Sequence, residues 1–436
     1  MALGDWLSRQ GIPFVIETPG GSGRPIPGLR SVPAPDLDCA YALAEAVATM
    51  GPGVATLWDG DVLTFVSRRV DPGEPTVART LPGLATAVET TRKLGAGSLA
   101  VRPAFDLAAD AGPANAVAPG FDPSLAARLT GTSWLPGSEL VADLVLAGRG
   151  VVRAGAVPAL QELAARTGLG VLNVFTAKGV FRWDSPFHLG TGCLQERDLA
   201  LAGAHPDAVV VGGGLDDDEC PPALFAAAGL DPARVVTLDP ADLPAAAETL
   251  RARIPVVAGG ERPALYRDLS AVVGPLYAET AGPLNPACAA ADLAAVLPAH
   301  GSVFSEPGPA AHWLGRTFST VRLGSVRVPA AGGAGLAIAG AIAAGLTGAG
   351  VAVAVVDRVP DDGVAAGCLR WADELGLTVV VEVWGDDGEP LSSAEHRAAV
   401  TARLAQGGVG VLELPVDYAA LTALVAAAGP VVAWGG

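Results

Sequence analysis

Asp357 closes the apolar strand VAVAVVDR, and the stretch before it, GGAGLAIAGAIAAGL from Gly332 to Leu346, is a glycine turn running into a small-residue helix. Such a turn offers backbone N–H groups to a phosphate, and a carboxylate at the following strand end offers hard oxygen to a divalent cation. Gly332, Gly333 and Gly335 are therefore candidate cofactor contacts, and Asp357 is a candidate for both cofactor and metal. Arg358 beside it either meets a phosphate or repels a cation. Asp386, in the acidic loop GDDGEP, is the carboxylate that would complete a metal pair with Asp357; a solvated acidic turn is the alternative. Glu382 lies inside the apolar strand TVVVEVW, where a buried carboxylate must pair or stay protonated. It is either a catalytic candidate or one half of a structural pair with an arginine.

The elements that must hold these groups alternate strand and helix, which predicts α/β architecture with parallel sheets. A chain of 436 residues predicts about three domains. Residues 1–111 open with DWLSRQG, PFVIETPGG, CAYALAEAVATMG and GVATLW, then shorten before the helix LATAVETTRKLG and the strand SLAVRPAFDL. A Pro/Gly-rich linker is expected over 112–124. The central segment, 125–278, runs through VVVGGG, PPALFAAAG, RVVTLD, LPAAAETLRARI and PVVAGG. The third, 279–436, continues past Asp357 with GCLRWADELG, TVVVEVW, a helix opened by a capping box at Ser392 and Glu395, and GVLELP.

Two stretches carry a resemblance to a known family. Gly332 to Asp357 resembles the C-terminal domain of thiamine-diphosphate enzymes of the acetolactate synthase and 2-oxo-acid decarboxylase type, whose pattern is a glycine turn, a small-residue helix and a strand ending Gly-Asp-Gly. AGRGVVRAGAVPALQELAARTGLGVLNVFTAKGVFRWDSPFHLGTG, from Ala147 to Gly192, resembles the central domain of the same family, and DAVVVGGGLDDDE, from Asp207 to Glu219, its next strand and acidic loop. The resemblance implies three doubly wound parallel-sheet domains of the thiamine-diphosphate-binding fold: an abridged pyrimidine-binding-like domain, a Rossmann-like central domain and a diphosphate-binding-like domain.

It also implies a site, and this chain departs from the pattern there. The family's activating glutamate falls at Leu37 when Ala40, Ala44, Glu45 and Ala48 are matched, with Asp36 and Asp38 as flanking substitutes. The bulky residue that bends the cofactor falls at Ala334, Gly-Asp-Gly reads Val356-Asp357-Arg358, and the closing Asn-Asn falls at Trp384-Gly385, followed by Asp386 and Asp387. His312, next to Trp313, falls near the family's reaction centre, and Glu306 at an acidic strand end facing the cleft; these are the acid/base candidates the resemblance supplies, with a packed or surface histidine as the alternative for His312. Thiamine diphosphate with magnesium is the family's cofactor, and its degenerate motifs leave the cofactor of this chain undetermined. The implied activity is that of a divergent lyase or carboligase acting on a 2-oxo acid or related acyl substrate, with cofactor use altered or lost. The alternatives are a non-catalytic partner of an active paralogue, since family sites form between neighbouring chains, and a new cofactor-independent activity.

Composition narrows the partners. A net charge of −17 leaves no basic patch for nucleic acid or an anionic membrane surface, so a small-molecule ligand and other protein chains remain, as homodimer, tetramer or hetero-oligomer. Five scattered cysteines imply neither a disulfide framework nor a zinc site, and the opening MALGDWLSRQG does not read as a signal peptide; cytoplasmic residence is expected. The charge-free run between Arg327 and Asp357 is long enough to cross a bilayer, but its glycines and its break into a valine-rich strand predict a buried helix and strand instead. No G-x-S-x-G or H-E-x-x-H is present, and Gly212-Gly213-Gly214 lacks the spacing of a dinucleotide turn, so a loop with an acidic face from Asp216 to Glu219 is the expectation there.

Overall fold

The structure is a computed structural model that describes residues 2–21, 25–50, 53–67, 75–78, 81–94, 98–103, 132–216, 219–220, 222–256 and 264–435. The linker expected over 112–124 and the expected start of the central segment at 125 lie outside the described residues.

The first sheet contains β1 (Phe14–Glu17), β2 (Arg30–Pro33), β3 (Ala55–Trp58), β4 (Leu63–Val66), β5 (Thr76–Ala78) and β6 (Ser98–Pro103), in the order β2-β1-β3-β4-β6-β5. Its helices are α1 (Leu3–Arg9), α2 (Leu37–Met50) and α3 (Leu81–Leu94). This sheet is mixed, because β4 runs antiparallel to both neighbours. The reversal is local chemistry: Asp59 accepts N–H bonds from Asp61 and Val62, and Gly60 takes the positive φ of 101° that a tight hairpin requires.

The central sheet is parallel throughout. Its strands β7 (Thr132–Ser133), β9 (Leu144–Ala147), β10 (Gly170–Val174), β11 (His188–Gly192), β12 (Val210–Gly213) and β13 (Val235–Leu238) run in the order β11-β10-β9-β12-β13-β7, beside a small ladder of β8 (Leu140–Ala142) and β14 (Leu250–Ala252). The associated helices are α4 (Arg149–Arg153), α5 (Val157–Thr167), α6 (Asp198–Leu201), α7 (Pro222–Ala227), α8 (Leu243–Thr249) and α9 (Ala264–Val273). The strand expected over PVVAGG does not form at Pro255 and Val256, and the rest of it lies outside the described residues. The chain enters a strand earlier, at Leu250, ahead of a proline that has no N–H for a ladder.

In the third sheet β15 (Ser302–Ser305), β16 (Val326–Arg327), β17 (Ala352–Val356), β18 (Val379–Gly385) and β19 (Val409–Pro415) are all parallel, in the order β16-β15-β17-β18-β19. Its helices are α10 (Pro286–Val296), α11 (Pro309–Thr317), α12 (Leu336–Thr347), α13 (Gly363–Glu374), α14 (Ser393–Gln406) and α15 (Leu421–Ala428). The capping box at Ser392 and Glu395 opens α14.

Helix α12 explains the charge-free run. Its 12 residues are almost wholly buried between the third sheet and α2, so an apolar surface all round is a core requirement. Among the described residues no helix is long and apolar enough to cross a membrane. The first and third domains thus share a core within one chain, with Cys39, Ala40, Leu43 and Val47 packed among the α12 side chains. All five cysteines are buried, and the Sγ atoms of Cys193 and Cys220 lie 2.8 Å apart, a proximity their spacing did not announce.

Close approach in that core depends on Gly340, where a Cβ would collide with the Phe304 ring. Gly340→Ala is expected to destabilise the protein by about 1–3 kcal/mol through overpacking, read as a lower urea midpoint with unchanged slope. A midpoint equal to that of the parent would show that β15 can move away from the helix.

Candidate active site at the carboxyl edge of the third sheet

Glu306, Asp357 and Asp386 each follow the last residue of a strand, and those strands, β15, β17 and β18, are adjacent and parallel. The chain leaves β15 toward β16 on one side and returns to β17 on the other, so a switch point of the sheet lies between Glu306 and Asp357. Crevices at such points are where open α/β sheets bind ligands.

Both carboxylates there already hold helix N-termini. Glu306 Oε1 accepts the N–H of Gly335 at 2.6 Å, and the carboxylate also accepts that of Ala337, at the start of α12. Gly335 is the N-cap, at φ 93°, and a Cβ there would press on Val364 and Ala365. Asp357 Oδ1 accepts the N–H of Ala310 at 3.0 Å in the first turn of α11, and a Cβ on Gly308 would collide with Oδ2. The amides that a glycine turn offers to an anion are occupied by the chain's own anions. Burial raises the pKa of Glu306 to about 7, against the lowering effect of its two amide bonds; Asp357 adds to the rise and Arg358 opposes it. Burial also raises Asp357, opposed by the Ala310 amide and Arg358.

Gly332 takes a φ of 138° with Leu336 close beneath it, whereas Gly333 meets nothing and faces open space. Arg358 and Asp386 are exposed. Among the described residues no group of three or more His, Cys, Asp or Glu side chains could hold a metal ion. Tyr418 joins this edge without any signal in the sequence. Its hydroxyl donates to the Trp384 carbonyl at 3.4 Å, and burial first, then Asp357 and Asp386, push its pKa up.

His312 and Glu382 lie in the interior instead. His312 is 3% exposed on α11, neither ring nitrogen has a hydrogen-bond partner among the described residues, and burial followed by the Arg316 charge lowers its pKa to about 3. It is a neutral ring at physiological pH. Glu382 is 0% exposed on a central strand and bonds His396 at 3.1 Å and the Trp384 indole at 3.0 Å. It pairs, as a buried carboxylate must, and the partner is a histidine in place of the arginine that the structural alternative named.

Leu37 is 50% exposed at the start of α2 and lines an open groove of about 640 Å³ with Asp36, Asp59, Asp61 and Tyr41. Asp36 is engaged as a cap, its Oδ1 accepting the Cys39 N–H at 2.7 Å and its Oδ2 facing the Cys39 thiol at 3.3 Å. In the central domain the Gly212-Gly213-Gly214 turn serves packing: a Cβ on Gly214 would meet the Val151 amide at 2.6 Å and the Gly150 carbonyl carbon at 2.8 Å. The acidic face expected after it is an internal ion cluster. Asp216 pairs with Arg149 and Arg153, whose bonds and charges hold its pKa down to about 2 against the effect of burial. Glu219 accepts the Thr176 hydroxyl and the Arg149 amide. Residues 217–218 lie outside the described residues.

The family described as thiamine pyrophosphate enzyme, central domain, matches residues 141–259. A protein of Mycobacterium smegmatis assigned provisionally as a thiamin diphosphate-dependent enzyme superimposes with a TM-score of 0.59 at 15% identity, covering 94% of this chain and 98% of its own. Benzoylformate decarboxylase from Polynucleobacter necessarius superimposes with a TM-score of 0.59 at 13% identity, covering 95% and 98%. Comparison with curated proteins gave no match. Residues 141–259 match the central domain of thiamine pyrophosphate enzymes, and the chain as a whole shares the fold of the thiamine-diphosphate-dependent enzymes.

Proposed function

We propose that this is a divergent, acetolactate synthase-like member of the thiamine-diphosphate fold that handles a 2-oxo acid or related acyl substrate at the Glu306–Asp357 edge and does not hold thiamine diphosphate in the usual way. The observation that carries this reading is the double occupation of helix N-termini, with Glu306 on α12 and Asp357 on α11. A diphosphate would have to displace two carboxylates from the amides it needs. The metal that would offset the repulsion has only Asp357, engaged, and the exposed Asp386 to meet it. Ala334 offers no wedge to bend the cofactor, and Leu37 cannot hydrogen-bond a pyrimidine. The residues present do not fit the group.

Glu306, with its pKa raised to about 7, is the group at this edge able both to take and to give a proton near neutrality. Arg358, exposed beside it, supplies the positive charge that a substrate carboxylate would meet. The setting we assign is cytoplasmic and oligomeric. A second reading, a non-catalytic partner of an active paralogue, draws support from the open groove beside Leu37, which among its described lining residues carries a leucine where the resemblance expects the activating glutamate.

Calorimetric titration of the purified chain with thiamine diphosphate and magnesium tests the proposal. No saturable heat is expected. Saturable binding that Asp357→Ala abolishes would overturn it and restore the ordinary cofactor site.

A further inference from the structure

Lys178 is one of two lysines in the chain, the other being Lys93. It follows β10 and the short turn Phe175–Ala177, is 7% exposed, and faces a cavity of about 120 Å³ where the central domain meets the third. Its Nζ donates to the Thr191 hydroxyl at 3.3 Å, and among the described residues it forms no ion pair. The charged neighbours are already committed. Arg316, on α11, is held by Asp198 at 2.5 Å, by Gln195 Oε1 at 2.9 Å and by the Thr191 carbonyl at 2.8 Å. The His188 ring, on β11, bonds Asn173 Oδ1 at 2.7 Å. Among the described residues, Lys178 is therefore the cation of this cavity that lacks a counter-charge.

A buried ammonium without an anion is costly, and proteins resolve it by neutralising the group or by binding an anion beside it. Burial, and then the Arg316 charge, bring Lys178 to a pKa of about 7, so it stands between those two outcomes. Trp183, Tyr277 and Phe318 line the same cavity and give an apolar body something to lie against. A single uncompensated cation suits a monoanion better than a phosphate dianion. At about 10–15 Å³ per water molecule held, the space admits a ligand of roughly ten heavy atoms.

We propose that this cavity binds a small organic carboxylate, its anionic end paired with Lys178 and its body against Trp183, Tyr277 and Phe318. The site is separate from the Glu306–Asp357 edge, and the proposal stands or falls without the reading of that edge.

The scarcity of lysine makes the test direct. The full chain is reductively methylated with formaldehyde and cyanoborohydride at pH 7, and the peptide carrying Lys178 is followed by mass spectrometry, with Lys93 as the internal reference. Benzoate is expected to slow modification of Lys178 and leave Lys93 unchanged, while neutral benzamide slows neither. At pH 7, a bound carboxylate that raises the lysine pKa from about 7 to about 8 lowers the reactive neutral fraction about fivefold, from about one half to about one tenth. Equal protection by benzamide, stronger protection by inorganic phosphate, or no protection by any of the three would each overturn the proposal. Lys178→Met, which replaces an unpaired buried cation by an apolar side chain of similar volume, is expected to fold at least as stably and to lose calorimetric binding of benzoate; retained binding would also overturn it.

Discussion

Replacing His396 by leucine is expected to cost the fold about 3–5 kcal/mol, the loss that follows when one member of a buried ionic network is removed and its partners stay behind. His396 is 0% exposed and joins three elements: its Nδ1 meets Asp292 of α10 at 3.1 Å and its Nε2 meets Glu382 of β18 at 3.1 Å, while its own backbone belongs to α14. The remaining carboxylate oxygens are bonded too, Glu382 Oε2 by the Trp384 indole at 3.0 Å and Asp292 Oδ1 by the Ser393 hydroxyl at 2.7 Å. Burial alone would lower the imidazole pKa, but the charges and bonds of Glu382 and Asp292 overcome it and raise it to about 9. A raised folded-state pKa makes the imidazolium a stabilising group whose contribution is complete below the unfolded value of about 6.5 and is lost as pH rises through about 9.

Urea unfolding of the parent should therefore weaken between these limits, and that alkaline component should be missing from His396→Leu. The double variant His396→Leu with Glu382→Leu should recover part of the loss, because the second change removes a stranded carboxylate. A single-variant loss within about 0.5 kcal/mol, the size of an ordinary surface change, would sink the structural account and return Glu382 to the list of reactive groups.

The contrast between Glu382 and Asp357 shows where reading the sequence reaches its limit. Gly335, the α12 helix and Asp357 were legible because a turn, a helix and a strand end are written in consecutive residues, and their order fixes which side of the sheet they share. Glu306 was legible for the same reason, as the residue that leaves β15. What those carboxylates bond was not legible, since the amides of Ala310 and Gly335 reach them only after two crossovers have folded. Glu382 announced a need for a partner, but nothing local distinguished His396 from an arginine. His312 was open in the opposite way. The resemblance puts it near the reaction centre and its residue type fits a packed histidine equally, and the turn of α11 directs it into the core, where Arg316, one helical turn on, adds charge nearby. The antiparallel β4 went unread among strands that otherwise read as parallel; Asp59-Gly60, a hairpin pair, is the local signal for it.

Asp198→Ala should cost a similar amount, about 3–5 kcal/mol, for the mirror-image reason: it strands a buried guanidinium in place of buried carboxylates. Arg316 has a side chain 2% exposed and belongs to the third domain, whereas every group that holds it comes from the central one. Asp198 does two jobs with its two oxygens. Oδ1 meets Arg316 at 2.5 Å, and Oδ2 accepts the N–H groups of Leu194 and Gln195, each at 2.9 Å, which fixes the loop that also presents Gln195 to the same guanidinium. Asp198→Asn preserves the shape but removes the charge and is expected to lose less than the alanine variant. Because this bond set joins two domains, the alanine variant should also lose cooperativity, with one unfolding transition broadening or splitting in calorimetry. A small loss with a single sharp transition would mean that water reaches Arg316 once Asp198 is gone, and that the domains are held together by their shared apolar surface instead. The variant reports on Lys178 as well: with Asp198 absent, the Arg316 charge acts on that lysine without compensation and lowers its pKa further, so methylation at pH 7 should quicken at Lys178 and remain unchanged at Lys93.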